Sequence, residues 1–340
     1  MSRLNKWLSW VFLVCVAAVV RGTMPQVIQL GNRFKLEDVS DDNLKQVLDS
    51  IGPMRSVVQE LDLSGNALKN FNPEDLAGFE SLQILDLSSN FITGVVNLSS
   101  LSSIQHLDLS NNFVSEVFVG LSIESLLAPN NRITKVTCIG GAPKKIILAN
   151  NRLSALSDLT STCRSGIFNI DLSLNEITIV DFSELLQSRD TLSSLNLEYN
   201  FIVDVRNSEN YTFPALELLD VSSNKLVYLG EAFQAAENVR KFDASFNEIV
   251  LISHMLLFNG NLSQLDLRGN RFDCDTLRKF FRKNEFLYQL SAPGLTRESC
   301  ANGPDYVGPY CCEPMPIPFV DQLIEAKRKK VSWDSHRKIS

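Results

Sequence analysis

Histidine is scarce in this sequence: three in 340 residues, at His106, His254 and His336. They are scattered along the chain, and no nucleophile elbow, phosphate loop or metal-ligand spacing accompanies them. That scarcity argues against an enzyme and against a bound metal or other cofactor. Basic residues are outnumbered, 32 Lys and Arg against 39 Asp and Glu for a formal charge of −7, which argues against nucleic acid as a partner. Beyond residue 22 no apolar run approaches the roughly 20 residues of a membrane span, and no hydrophobic tail signals a lipid anchor. Cysteine is missing between Cys15 and Cys138, so no disulfide braces that stretch.

What is present is one pattern read ten times. Its clearest copy is Leu82-Gln-Ile-Leu-Asp-Leu-Ser-Ser-Asn90-Phe-Ile92, of the form L-x-x-L-x-L-x-x-N-x-L, the signature of a leucine-rich repeat. Further copies begin at Val58, Ile104, Ile123, Pro143, Ile167, Leu192, Leu216, Val239 and Leu262. The repeat asparagines run from Asn66 to Asn270 in nine steps averaging about 23 residues, within the range of this class. In each Leu-x-Leu the two leucines share one face of a short strand, so Leu85 and Leu87 point inward and Asp86 outward. One such strand cannot bury its apolar face alone; stacked on its neighbours it lies in a continuous core. The chain then turns inward, and a buried Asn side chain, donor and acceptor at once, satisfies the backbone groups left away from water. Phe71 and Phe79 are expected to fill the wider gap behind the strands. The fold class is therefore an α/β solenoid. It is expected as a leucine-rich-repeat horseshoe with a parallel β-sheet on the concave face, a helical N-terminal cap and a disulfide-rich C-terminal cap.

The expected organisation has five parts. Residues 1–22 read as a secretory signal peptide, with Arg3 and Lys6 before an apolar run from Trp7 to Val20 and small residues near Gly22. Loss of Arg3, Lys6 and Arg21 would take the charge from −7 to −10 and leave an acidic, exported protein with no membrane span. Residues 23–56 form the N-terminal cap, in which Ser40–Ile51 has a capping Ser and an apolar stripe of Leu44, Val47, Leu48 and Ile51. With no cysteine there, the cap is expected to be held by packing alone. Ten repeats fill 57–272. Between Asn112 and Asn151 their spacing tightens to 19 and 20 residues, leaving little room for helix behind the sheet. A cysteine-rich cap follows at 273–313, opening with a helix over Asp273–Arg282. A basic tail at 314–340 holds Phe319, Val320, Leu323 and Ile324 before Lys327-Arg-Lys-Lys330. It reads either as a docking helix for an acidic partner or as a solvated end.

Six cysteines survive loss of the signal: Cys138, Cys163, Cys274, Cys300, Cys311 and Cys312. An even set in a secreted chain reads as disulfides. Cys138 and Cys163 fall in the outer segments of adjacent repeats, as a staple between coils or, alternatively, as two buried free thiols. In the cap, a bond between neighbours Cys311 and Cys312 would be strained. Cys274 and Cys300 are thus each expected to take one of them, in an order the sequence leaves open.

The residues between the paired leucines line the outward sheet face: Asp62, Asp86, Asp108, Leu127, Ile147, Asp171, Asn196, Asp220, Asp243 and Asp266. Aspartate dominates, and the row breaks at Leu127 and Ile147, with Pro129 and Ala149 two residues on and Lys144 and Lys145 alongside. Grouped exposed apolar side chains mark contact sites more strongly than single ones, so these positions are partner-binding candidates, as are Tyr199 and Phe246. The alternative is that Leu127 and Ile147 lie against a neighbouring loop. Three sequons, Asn97-Leu-Ser, Asn210-Tyr-Thr and Asn261-Leu-Ser, are glycosylation candidates, the first two on the flank or outer wall and Asn261 abutting a strand.

The signal peptide, the LDLS-type array, and Asn270-Arg-Phe-Asp-Cys274 leading to Cys300 and vicinal Cys311-Cys312 together resemble the mosquito leucine-rich-repeat immune proteins. The resemblance covers most of the mature chain and implies a haemolymph protein of innate immunity. In that family the longer members form disulfide-linked complexes through coiled coils and associate with complement-like thioester proteins. Here 28 residues follow Cys312 without sustained heptads, so the chain is similar to a coil-less member. The expected function is a secreted recognition protein binding a protein partner, either a complement-like factor or another leucine-rich-repeat protein, or a pathogen surface, through its concave face. An extracellular adhesion or matrix-organising protein is the alternative.

Overall fold

The computed structural model describes residues 25–163, 165–288, 305–316 and 322. The expected signal peptide, Cys300, His336 and nearly all of the basic tail lie outside the described residues. The chain divides into two compact units, residues 1–177 with 184–195, and residues 178–183 with 196–340.

In the first unit β1 (Gln26–Leu30) and β2 (Arg33–Glu37) form an antiparallel hairpin. Chain order continues through β3 (Glu60–Asp62), β4 (Ile84–Asp86), β5 (Thr93–Asn97), β6 (His106–Asp108), β7 (Phe113–Val119), β8 (Ser125–Leu127), β9 (Lys135–Cys138), β10 (Lys145–Ile147) and β11 (Asn169–Asp171). One sheet runs β1-β2-β3-β4-β6-β8-β10-β11, parallel throughout from β2. Its register aligns Leu61, Leu85, Leu107, Leu126, Ile146 and Ile170 as one row, and each of these side chains is buried. The core is this row and its companion leucines, stacked coil on coil as the repeat demands.

The repeat asparagines close the coils. Asn90 donates from Nδ2 to Leu63 O of the preceding repeat at 2.9 Å and to Leu87 O of its own at 3.1 Å, while its Oδ1 accepts from Leu68 N at 3.1 Å. Asn175 repeats the arrangement with Leu148 O, Leu172 O and Leu153 N. Each such side chain links adjacent repeats through three backbone groups that water does not reach. The residue before each asparagine is left-handed in all ten repeats, from Gly65 at φ 68° through Tyr199 at 53° and Phe246 at 52° to Gly269 at 69°.

Where the spacing tightens, the segments behind the sheet are extended. β5, β7 and β9 pair in parallel as a second, three-stranded sheet. Val96, Val114, Val117, Val119 and Val136 face the core from it. A short helix, α2 (Ser157–Thr160), follows, and Cys138 is bonded to Cys163 across the compressed region.

Two expectations for the N-terminal end need correction. Helix α1 covers Leu44–Ser50, with Leu44, Val47 and Leu48 buried, but it begins after Ser40 and has no side-chain cap; the Asn43 Oδ1 accepts instead from Ser40 N at 2.8 Å. The cap is not held by packing alone. Strand β2 pairs with β3, and Asn66 bonds Leu36 O and Val39 N, both at 2.7 Å, so backbone hydrogen bonds continue the sheet into the cap. Phe79 is buried as expected, whereas Phe71 is only half-buried.

The second unit contains β12 (Ile179–Asp181), the end of β13 (Ser194–Asn196), β14 (Asp204–Arg206), β15 (Leu218–Asp220), β16 (Tyr228–Leu229), β17 (Lys241–Asp243), β18 (Leu251–Ile252) and β19 (Gln264–Asp266). Strands β15, β17 and β19 are parallel, and behind them β12 pairs β14 and β16 pairs β18. Aromatic rings fill the space between, with Phe182 on Phe213 at 5.5 Å, Phe233 on Phe242 at 5.6 Å and Phe242 on Phe258 at 5.3 Å. The unit ends with β20 (Phe272–Asp273), helix α3 (Cys274–Lys283), β21 (Tyr306–Val307) and β22 (Tyr310–Glu313). Asp273 caps α3 by accepting from Thr276 N at 2.9 Å. Leu277, Phe280 and Phe281 are buried while Arg278, Lys279 and Arg282 face solvent, the amphipathic split read from the sequence. Cys274 is bonded to Cys312, and Cys311 is also in a disulfide.

Candidate protein-binding face

The aspartates of the sheet face have a local structural task. Asp62, Asp86, Asp108 and Asp171 each accept from the backbone N–H two residues on, at 2.8–3.0 Å, as Asp220, Asp243 and Asp266 do in the second unit. Asn196 substitutes for aspartate with the same bond, to Glu198 N at 3.0 Å. This side-chain acceptor satisfies a donor where the strand ends and the chain turns. The aspartate row is thus partly a folding device, and its charge comes with it.

That charge is costly to hold. Burial pushes the Asp86 carboxyl above its ordinary pKa against the hydrogen bonds from Ser88, and the neighbouring Asp108 and Asp62 add to the push. In the second unit burial does the same to Asp243, with Asp220 and Asp266 beside it. Like charges one strand apart disfavour ionisation.

Leu127 and Ile147 break the row. They are direct partners in the register of β8 and β10, flanked by Asp108 on β6 and Asp171 on β11. Both are half-buried and so present part of their surface to solvent. No aspartate is needed at the first of them, because the residue two on is Pro129, which has no N–H to satisfy. Half-buried Pro129 and Ala149 extend the apolar area.

Polar groups border the break on both sides. Asn130 Nδ2 donates to Asn111 Oδ1, and Asn150 Nδ2 to Asn130 Oδ1, both at 2.8 Å. This ladder of exposed amides occupies three successive left-handed positions; asparagine tolerates them well, and the repeat reading missed it. On the other side Lys144 Nζ pairs with Glu124 at 3.0 Å. Lys145 lies between Ser125 and Asn169 in the register, exposed and without an ion-pair partner among the described residues. The sequence candidates Leu127, Ile147, Lys144 and Lys145 therefore converge on one patch of the first unit.

Tyr199 and Phe246 belong to the second unit and are 55% and 61% exposed. Their left-handed backbone is uncommon for bulky residues. The Phe246 ring lies over Gly269, where an added Cβ would come within 2.6 Å of Phe246 Cδ1. A further exposed group was not anticipated: Phe91 stacks on Phe113 at 6.4 Å, and the Arg132 guanidinium stands 4.7 Å from the Phe113 ring centre.

His106 is exposed on β6 and His254 is exposed in a loop of the other unit. Among the described residues no group of His, Cys, Asp and Glu could hold a metal ion, and no helix is long and apolar enough to cross a membrane. Asn97, Asn210 and Asn261 are all exposed.

Comparison with known proteins places this geometry. Residues 38–92 match the family model described as leucine rich repeat. The chain is 44% identical to the solved LRIM1 leucine-rich repeat domain, covering 89% of this chain and 98% of that one with a TM-score of 0.83. It is 46% identical to a chain of the solved LRIM1/APL1C complex, covering 90% of this chain and 65% of that one with a TM-score of 0.82. Lumican of Coturnix japonica is 24% identical over 251 residues, covering 68% of this chain and 60% of the lumican. The chain thus spans about two thirds or less of the lumican and of the chain in the complex.

Proposed function

This chain belongs to the mosquito leucine-rich-repeat immune protein family, and from that premise we propose that it is a secreted, non-catalytic recognition protein of innate immunity. It binds another leucine-rich-repeat protein through the sheet face of its first unit, centred on Leu127 and Ile147. The observation that carries this reading is the in-register apolar pair set in a row of aspartates. Desolvating two adjacent apolar side chains costs nothing in lost hydration of charge, whereas covering the neighbouring carboxylates does. A contact centred on the break and rimmed by polar groups follows the usual anatomy of an interface. The Asn111–Asn130–Asn150 ladder offers amide donors and acceptors at one rim, and Lys145 offers a charge for an acidic group at the other.

A partner of the same class is supported by the complex of LRIM1 with APL1C, a chain of which is 46% identical to this one. Engagement of a complement-like thioester protein in haemolymph is the finer step and is carried by the family resemblance. Tyr199 and Phe246 serve as separate contacts on the second unit.

The test is capture from body fluid. The Leu127→Asp, Ile147→Asp double variant should be secreted at the level of the unaltered chain and lose its leucine-rich-repeat partner by about tenfold or more, the scale expected when hot-spot side chains are removed. Undiminished capture would place the contact elsewhere.

A further inference from the structure

The three-stranded sheet behind the core carries a feature that the sheet face does not use. Val96 in β5 and Leu98 just after it are buried while Asn97 between them points outward; along β7 alternation turns Val117 and Val119 inward and Phe118 outward. Asn97 and Phe118 are direct partners in the parallel register, on strands about 4.8 Å apart. Phe118 is half-buried and Asn97 exposed, so the amide stands beside a partly open ring. Two contacts fix this placement. Leu98 N donates to Phe118 O at 2.9 Å. Gly120 lies so close to the sequon that an added Cβ would sit 3.0 Å from Ser99 O. Asn97 Oδ1 accepts from Ser99 N at 3.1 Å and from Ser99 Oγ at 2.7 Å. Asn97 Nδ2 makes no hydrogen bond among the described residues.

We infer that Asn97 carries an N-linked glycan whose first sugar lies across the Phe118 ring. The inference rests on the reading of the chain as exported, since the donor is a lipid-linked oligosaccharide of the secretory route. In the transfer a bond forms between Asn97 Nδ2 and the sugar C1. The C1–O bond to the lipid pyrophosphate breaks, its electron pair leaves with the pyrophosphate, and Nδ2 gives up one proton. A pyranose presents C–H groups on one face, and the face of an aromatic ring carries the negative part of its quadrupole, so the two stack favourably. The sugar would also shade Val95, which is 55% exposed on the same strand, and so keep this apolar surface away from partners. The other two sequons are not held on a strand beside a register partner: Asn210 is in a left-handed turn and Asn261 in an exposed loop.

Two measurements on the secreted full-length chain test this. The first is glycopeptide mass spectrometry with a thermal-melting cycle over Ser99→Ala, which removes the sequon, and Phe118→Leu, which removes the ring. Asn97 should be occupied. Loss of its glycan should lower Tm by about 2 °C beside Phe118 and by nothing measurable beside Leu; equal shifts in both backgrounds would overturn the stacking. A bare Asn97 with Asn210 occupied would overturn the inference alone, whereas no glycan on any sequon would overturn it together with the reading of export. The second measurement needs no variant. Native endoglycosidase cleavage should be several-fold slower at Asn97 than at Asn210, and equal rates would contradict a sugar packed on the protein.

Discussion

Repeats one to three and repeats four and five share a backbone and differ in what they show to solvent. In the first group each strand ends on an aspartate that accepts from the next turn; in the second, Leu127 and Ile147 stand at the same positions. The asparagine row runs through both without interruption. A solenoid can therefore change its outward residues one repeat at a time while its coils stay closed, because shape and surface are held by different side chains. The second group also has the shortest spacing and the Cys138–Cys163 bond, so the face that departs most from the pattern sits on the covalently braced part.

Four stability measurements would break or sharpen that contrast. The largest effect is expected from removing the brace. Cys138→Ser with Cys163→Ser should cost about 3–4 kcal/mol for a closed loop of 25 residues, read by denaturant unfolding. A loss no larger than that of a surface substitution would mean that the compressed repeats need no staple. Next comes Asn175→Ala, which strands the carbonyls of Leu148 and Leu172 and the N–H of Leu153. About 1–3 kcal/mol should be lost; a neutral result would show that these backbone groups find other partners. Leu127→Asp should cost only about 1 kcal/mol, because the new carboxylate faces Asp108 across the register and Pro129 offers it no N–H, while the side chain it replaces is half-buried. A large loss there would mean that the side chain is core and not surface.

The smallest effect is the pH dependence of the aspartate row. The folded-state pKa of Asp86 is raised, so its contribution to stability is fully present below the unfolded carboxylate value of about 4 and is lost as pH rises through the folded value. Asp86→Asn keeps an acceptor for Ser88 and removes the charge. It should stabilise the chain slightly at neutral pH, with the advantage vanishing below about pH 4. A gain that persists in acid would not come from ionisation.

Much of the fold could be read from the leucines and asparagines, because both recur in phase and each has one physical task. The short spacing behind repeats three and four showed that little helix would fit there, but not that β7 and β9 pair as strands, since outer segments of longer repeats such as β12 and β14 are extended as well. The hairpin β1–β2 could not be read in the same way: Gln26–Glu37 carries no repeat signature, and its place is set by pairing with Glu60–Asp62, a non-local contact. The Ser40 cap misled because a Ser beside acids suits a helix start as well as the turn it makes here. At the candidate site, period-two alternation gave Leu127 and Ile147. The Asn111–Asn130–Asn150 ladder was invisible because nothing in a single repeat shows that its left-handed residue touches the next one. Phe118 was invisible for the same reason: only the register between β5 and β7 brings it to Asn97.

The most direct test of the central claim is hydrogen–deuterium exchange of the chain alone and bound to a purified leucine-rich-repeat partner. Binding at the apolar break predicts new protection in residues 125–131 and 145–151, with the strands of Asp62 and Asp86 unchanged. Protection confined to β5, β7 and β9, or to the aspartate strands, would contradict it.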